Sequence, residues 1–554
     1  MTSVNAGDTT RDDPEATAAV LDRRALMMQA VAAGSAAATG VLLGEEEAEA
    51  GKRRGKRKRK RKQRRAEKPN VVLFISDQER AIQHFPDGWM EQHLPAQTAL
   101  AARGVTFNRA FCSTCQCSPS RASLLTGLFP AQHGVFEVLT FDYDPGSAGQ
   151  AVLPLPSDLP SLASLMSANG YDVVFKGKWH LSKPASWEQP GDSVDWQPSD
   201  VAEYGFDAWS PPDAGDQAGP EHLGAGTANN DGRFIDGTDG QEGVIDFIAR
   251  RKGVRKPFFL IVSLVNPHDS TEYPGIGTQF ADDGFDDTLL VSTGIELPAT
   301  RHEDLAAAGK PSAQQALPAQ LDYYLGAFAS EEDRVKYLNF YGNLMKLIDG
   351  YIGETRAALR NAGHLNNTLF VRTSDHGEMG MAHGGLRQKL LQAYEETIRV
   401  PMVYSWPKKL GKGRASDELV SHVDVAPTIA SLIGIAPGQQ LDWAGRDYSR
   451  VVRHPDRSGP NPYVLFTYDE YYAGVPVPPY VGASHIVAYR DHACKIVRYH
   501  DTRENPDPDE WEFYDLQADP NEGINIAFTN PSDSRFIDYQ SRLQSAIAER
   551  LQPQ

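Results

Sequence analysis

A chain of 554 residues that is 40% hydrophobic, with 48 Gly and 37 Pro, is long enough for one large domain plus a smaller one; its four cysteines exclude a disulfide scaffold. Residues 1–65 hold 15 Lys/Arg against 9 Asp/Glu, so the formal charge of −18 hides a body that carries −24. A body that acidic argues against nucleic acid as a partner, and any anionic substrate must be drawn in by basic groups placed locally.

At the amino end, Arg23-Arg24 precedes a weakly apolar Ala/Gly-rich run from Ala30 to Leu43, and Ala48-Glu49-Ala50 follows. Charged region, short apolar region and small-x-small site are the order of a signal peptide over residues 1–50. The apolar run is too short to span a bilayer, so no transmembrane helix is expected in the mature chain. The paired arginines resemble a twin-arginine export signal, although Asp22 and Met27 depart from its usual surroundings. The protein is therefore expected to be exported, to the periplasm or beyond. Residues 51–66 are almost wholly Lys and Arg and should form a disordered, solvated tether able to touch cell-wall polymer or lipid headgroups.

The body begins with Pro69-Asn70-Val71-Val72-Leu73-Phe74-Ile75, a continuous apolar run that reads as a buried parallel strand. Similar runs recur at Asp172–Phe175, Phe258–Leu264, Thr368–Thr373 and Pro401–Trp406. Helical periodicity is clearest from Glu331 to Ala362, with Leu338, Tyr341, Leu344, Ile348 and Ile352 on one face. Strands alternating with helices predict an α/β sheet. Asp77 and Gln78, Lys178 and His180, Asn266 and His268, and Asp375 and His376 fall just beyond the ends of those strands, where sites in open α/β sheets gather. After Trp443, Val464–Tyr468, His485–Tyr489 and Ala493–Tyr499 read as strands of a small α+β subdomain that closes with a helix over Ser534–Leu551.

Three of the cysteines, Cys112, Cys115 and Cys117, share six residues. The Cys112/Cys115 pair has the spacing of a zinc or redox motif, but no second pair completes a tetrahedral set. Cys117-Ser118-Pro119-Ser120-Arg121-Ala122-Ser123-Leu124-Leu125-Thr126-Gly127 resembles the signature of the sulfatase family. That resemblance implies that a dedicated formylglycine-generating enzyme oxidises Cys117 to formylglycine, with Pro119 and Arg121 in its recognition sequence. It also implies an alkaline-phosphatase-like α/β fold: a large mixed, mostly parallel sheet flanked by helices (67–445) with the C-terminal subdomain at 446–554. The likeness continues through Gly177-Lys178-Trp179-His180, Asn266-Pro267-His268-Asp269, Ser374-Asp375-His376-Gly377-Glu378, Lys389 ahead of Tyr394-Glu395-Glu396, His422 to Thr428 and Phe513 to Pro520. Taken alone, Lys178, His180, His268 and Lys389 are as readily structural groups.

The family likeness gives a catalytic set of Cys117, Arg121, Lys178, His180, His268 and Lys389 for cleaving the sulfate ester of a small molecule or saccharide. It gives a metal set of Asp77, Gln78, Asp375, His376 and an oxygen of modified residue 117. Calcium is the expected ion, with manganese or another transition metal open because His376 stands where many relatives carry Asn, and Gln78 where many carry Asp. Those two departures also resemble phosphonate monoester hydrolases and phosphodiesterases that use the same modified residue, which is the alternative activity. A non-catalytic binding protein on the same scaffold would have no need of every charged group in the set.

Overall fold

The computed structural model describes residues 67–139, 153–187, 195–211, 213, 230–238, 240–274, 287–411, 413–469, 483, 485–500 and 508–552. The expected signal peptide and tether lie outside them. The described strands are β1 (Asn70–Asp77), β2 (Gly104–Phe107), β3 (Ala110–Phe111), β4 (Asp172–Gly177), β5 (Phe258–Pro267), β6 (Thr368–Ser374), β7 (Arg399–Val400), β8 (Met402–Ser405), β9 (Arg414–Ser416), β10 (Val420–Ser421), β11 (Val464–Asp469), β12 (His485–Arg490), β13 (Cys494–His500) and β14 (Glu510–Asp515). The helices that matter for the site are α1 (Cys117–Thr126), α2 (Val244–Arg250), α3 (Glu331–Asn361), α4 (Val425–Ile433) and α5 (Ser534–Arg550).

Seven strands form one sheet in the order β4-β5-β1-β6-β8-β2-β9. Four adjacent strands, β4, β5, β1 and β6, of which β4 is at the edge of the sheet, pair in parallel. The Pro401–Trp406 run supplies β8, which is antiparallel to β6 and β2 and makes the sheet mixed, as expected. An apolar run reports that both faces are covered and carries no information about direction.

Every residue of β1 is buried, and its alternate side chains divide between two cores. Val71, Leu73 and Ile75 pack with Ala122 and Leu125 of α1 and Ile429 of α4, while Val72 and Phe74 pack with Phe247 of α2 and Ile348 and Ile352 of α3. The result is a sheet sandwiched between helices. Because these four strands run the same way, Asp77, the residue after Gly177, the residue after Pro267 and the residue after Ser374 all emerge at the same end of the strands.

The C-terminal part is an antiparallel sheet β11-β12-β13-β14 with α5 laid across it through Phe536, Tyr539, Leu543 and Ala546. Strand β14 extends the three strands expected there. This sheet grips the loop that follows Lys389: Arg490 pairs with Glu395 at 3.1 and 3.3 Å, Lys495 Nζ donates to Ala393 O at 2.6 Å, and the Tyr394 hydroxyl donates to Glu512 at 3.2 Å. The hydroxyl of Tyr499 donates to the same Glu512 carboxylate at 2.7 Å, and that of Tyr514 also reaches it. Buried polar groups so fully paired hold two pieces of chain in one relative geometry.

Candidate active site

Cys117 is the first residue of α1, so the positive end of the helix backbone faces its side chain. Arg121 follows four residues later, one helical turn on, and therefore stands on the same face. This places the two ends of the Cys-x-Pro-Ser-Arg motif next to one another in a helix whose residues are all buried.

Arg121 is held by four acceptors: Nε donates to Asp375 Oδ2 at 3.0 Å, Nη2 to Asp77 Oδ2 at 3.0 Å, and Nη1 to Lys178 O at 3.0 Å and Ser263 Oγ at 2.5 Å. Lys178 Nζ donates to Asp77 Oδ2 at 2.6 Å. Lys389 Nζ lies 3.4 Å from Cys117 Sγ and donates to Gln78 Oε1 at 3.0 Å. His376 Nε2 lies 3.3 Å from the same sulfur. The expected residues Asp77, Gln78, Cys117, Arg121, Lys178, Asp375, His376 and Lys389 thus meet in one buried cluster. His268, half-buried at its rim, shares the electrostatic surroundings of Asp77, Lys389, Lys178 and Cys117. His180 is fixed beside Lys178 by a bond between its Nε2 and Leu139 O at 2.8 Å. A carbonyl only accepts, so Nε2 carries the proton and Nδ1 is the basic nitrogen of the neutral ring.

The electrostatics favour an anion at residue 117. Burial and Asp77 oppose a charged thiol there, but the charges of Lys178 and Lys389 outweigh them and pull the Cys117 thiol well below its ordinary range. Burial likewise resists the charge on Asp77, yet Lys178 and Arg121 hold its carboxyl well down. Asp375, buried beside the Asp77 charge, is shifted up instead. Burial lowers His268 to about 3, which keeps its ring neutral until a proton is supplied.

Asp77, Cys117, Asp375 and His376 present donor atoms within 4.8 Å of one another, a set suited to a divalent cation. His376 fits that use: its Nδ1 donates to Gly377 O at 3.0 Å, so the Nε2 lone pair turns toward the carboxylates, 3.4 Å from Asp77 and 3.6 Å from Asp375. Gln78 flanks the set with its carbonyl oxygen on Lys389 and its amide on Glu378 Oε2 at 2.7 Å. Cys112 and Cys115 are spent elsewhere, their thiols facing Thr397 O at 3.6 Å and Lys389 O at 3.0 Å.

The backbone around these groups is strained. Gln78 (φ 65°) and His180 (φ 54°) adopt the left-handed region, and Gln388 (φ 67°) and Leu391 (φ 54°) do so on either side of Lys389. Between Ile75 and Asp77 the β1–β5 register slips, which re-aims Asp77. Gly177, with φ 108°, has no room for a side chain: a Cβ would sit 1.8 Å from Ser263 O. Gly177→Ala is therefore expected to unfold the strand end that carries Lys178, costing at least ~3 kcal/mol by urea denaturation and removing activity; a variant with wild-type stability would show the strand can shift.

Ser263 was missed as a site residue, although a lone polar residue inside Phe-Phe-Leu-Ile-Val-Ser-Leu-Val was its signal. Two other residues, Asp213 and Asp231, carried no local signal at all.

Residues 69–435 match the model of the sulfatase family, and residues 383–550 match that of the N-sulphoglucosamine sulphohydrolase C-terminal region. The chain belongs to the sulfatase family. An ulvan-active sulfatase of Formosa agariphila is 24% identical over 494 residues, covering 87% of this chain and 81% of that protein. Among solved structures, a 2-O GAG sulfatase matches with a TM-score of 0.64 at 24% identity, covering 87% of this chain and 93% of that one. The phosphonate monoester hydrolase of Agrobacterium radiobacter matches with a TM-score of 0.61 at 22% identity, covering 87% and 96%. The sheet-and-helix architecture with its small C-terminal sheet is the sulfatase fold, and the protein is an enzyme of the sulfate ester hydrolases.

Proposed function

We propose that this sulfatase hydrolyses a sulfate monoester of a small molecule or saccharide through a sulfo-enzyme intermediate on a formylglycine made from Cys117. The observation that carries this reading is the placement of Lys389 Nζ and His376 Nε2 within 3.4 Å of Cys117 Sγ, which marks where the hydroxyl oxygens of the modified residue would sit. Asp77, Asp375, His376 and residue 117, with Gln78 beside them, would hold a divalent ion, calcium or manganese. The ion supplies Lewis acidity toward a sulfate oxygen.

The protein's own groups supply the rest. Arg121 orients the attacking hydroxyl and offsets its charge, and Asp375 takes its proton. Lys178 neutralises sulfate oxygens. His268 and Lys389 stabilise or protonate the departing alcohol oxygen. His180 then removes a proton from the second hydroxyl, so that residue 117 expels sulfate without water attacking sulfur.

On this reading residues 67–445 are the catalytic domain and 446–554 a subdomain supporting it. The chain is exported through the twin-arginine-type segment 1–50 to the periplasm or beyond, and the basic stretch 51–66 meets an anionic surface. No described helix is long and apolar enough to cross a membrane.

Mass spectrometry of the tryptic peptide Ala110–Arg121, from a host with the modifying enzyme, should show the mass of an aldehyde at residue 117; fully active enzyme with an intact thiol there would refute the mechanism. The same preparation should cleave an aryl or sugar sulfate faster than a phosphonate monoester or phosphodiester. The reverse order would support the second reading, phosphorus chemistry, which the imidazole of His376 in the ligand set favours. His376→Asn tests it directly. A sulfatase should keep its metal and stay within about tenfold of wild-type sulfate hydrolysis, since Asn offers an oxygen in place of Nε2. A phosphodiesterase should lose manganese and phosphodiester cleavage first, as elemental analysis and the two rates would show.

A further inference from the structure

Two buried carboxylates from the connection between β4 and β5 each grip consecutive backbone amides. Asp213 accepts from Trp179 N at 2.7 Å and from His180 N at 2.6 Å. Asp231 accepts from Val265 N at 2.7 Å, Asn266 N at 3.0 Å and Asn266 Nδ2 at 2.8 Å. Both carboxylates are at least 99% buried. In each case the gripped amides belong to the segment that presents a histidine: His180 itself, and His268 two residues beyond Asn266.

Such an arrangement has a physical cause. Where the chain leaves β4 it turns through a left-handed residue at His180, and where β5 ends its register with β1 slips, so neither stretch can continue a regular ladder. A buried N–H left without an acceptor costs ~1–3 kcal/mol. A carboxylate, with two acceptor oxygens side by side, can give each of two adjacent amides an oxygen of its own, as Asp213 does for Trp179 and His180 and Asp231 for Val265 and Asn266. Burial raises the Asp231 carboxyl to about 6 even with its three donors, so the amide grip is worth a considerable desolvation cost.

We propose that Asp213 and Asp231 are positioning residues for the two histidines: Asp213 fixes the turn that aims His180 at residue 117, and Asp231 fixes the strand end that aims His268 at the departing oxygen. His180 is then held from both ends, its amide by Asp213 and its ring by Leu139 O. The assignment rests on the roles given above to His180 and His268. It also makes one connecting segment responsible for both proton-handling groups.

The test uses Asp213→Asn and Asp231→Asn in the full-length, modified enzyme, with His180→Ala and His268→Ala as references. An asparagine keeps one acceptor and turns an N–H toward the second amide, so each variant should break half of its grip. Hydrogen exchange should quicken at residues 179–180 only in Asp213→Asn, and at 265–266 only in Asp231→Asn. The kcat should fall ~10- to 100-fold with KM little changed, the usual cost of a small misplacement. Asp231→Asn should steepen the dependence of rate on leaving-group acidity across a series of aryl sulfates, as His268→Ala does. Asp213→Asn should instead let sulfated enzyme build up, as His180→Ala does, visible by intact mass.

If the histidine variants show these signatures and the Asn variants lose activity equally on every substrate without them, the aspartates are merely structural and the proposal fails. If the histidine variants themselves lack the signatures, the roles beneath the proposal fall and it falls with them. Should an Asn variant not fold, Asp213→Glu or Asp231→Glu, which keep both oxygens one methylene further out, should give the same signatures with a smaller loss; Glu variants indistinguishable from wild type in exchange and in both signatures would overturn it.

Discussion

Asp77→Asn should leave the enzyme with less than ~0.1% of its turnover, because it removes the anion on which the site's cations are organised. One oxygen of Asp77 receives both Lys178, at 2.6 Å, and Arg121, at 3.0 Å, while the other faces His376 and residue 117. Without that charge two fully buried cations lose a partner, a change that costs ~3–5 kcal/mol when one member of a buried pair is deleted. The pH dependence follows from the depressed carboxyl. A group whose folded pKa lies below its unfolded value stabilises the fold above the unfolded value, ~4 for aspartate, and loses that contribution as pH falls toward its folded pKa. Wild type and variant should therefore differ in urea denaturation by a constant amount at neutral pH and converge only in acid. Metal content and kcat measured alongside complete the test, and a variant that keeps both would remove Asp77 from the site's chemistry.

Cys117→Ser should accept one sulfo group and stop, with turnover falling by at least ~1000-fold. A serine hydroxyl at the head of α1 would meet the same Arg121, Lys178 and Lys389 environment and can attack sulfur. It has no second hydroxyl whose deprotonation expels sulfate. Intact-mass measurement should find the variant one sulfo group heavier after exposure to an aryl sulfate, with a single stoichiometric release of phenol. Cys117→Ala should do neither. Steady turnover by the serine variant would mean that water hydrolyses the intermediate directly, and His180 would need another role.

The parts of the site that could be read from the chain were those carried by short spacings. Cys117 and Arg121 stand four residues apart, and that spacing becomes one helical turn. Asp77, Lys178, His268 and Asp375 each follow an apolar run, and a parallel sheet brings such ends to one edge. What escaped was whatever depends on long-range geometry. The direction of β8 is set by the connection that precedes it, which an apolar pattern cannot report. Asp213 and Asp231 lie 33 to 35 residues from the amides they hold, in a connection whose composition is that of any polar loop. Gln78 stands in the metal set by the family likeness; that its carbonyl oxygen also meets Lys389, a partner 311 residues away, no local spacing announces.

The grip of the C-terminal sheet on Ala393, Tyr394 and Glu395 bears on how this enzyme can be cut or recombined. Lys389 sits in a loop bracketed by two left-handed residues, a conformation the loop does not prefer alone. Its near end is tied to the body by Gln388 N donating to Glu378 Oε1 at 2.9 Å and Cys115 Sγ to Lys389 O at 3.0 Å, and its far end by the Arg490–Glu395 pair, the Lys495 bond to Ala393 and the tyrosine hydroxyls gathered on Glu512. A truncation near residue 445 would thus remove more than a supporting module: it would free the far end of the loop that carries the lysine facing the nucleophile. Grafting the C-terminal sheet of another sulfatase should succeed only where the counterparts of Arg490, Lys495 and Glu512 travel with it, so the seam between the two parts constrains such an exchange as much as either part does.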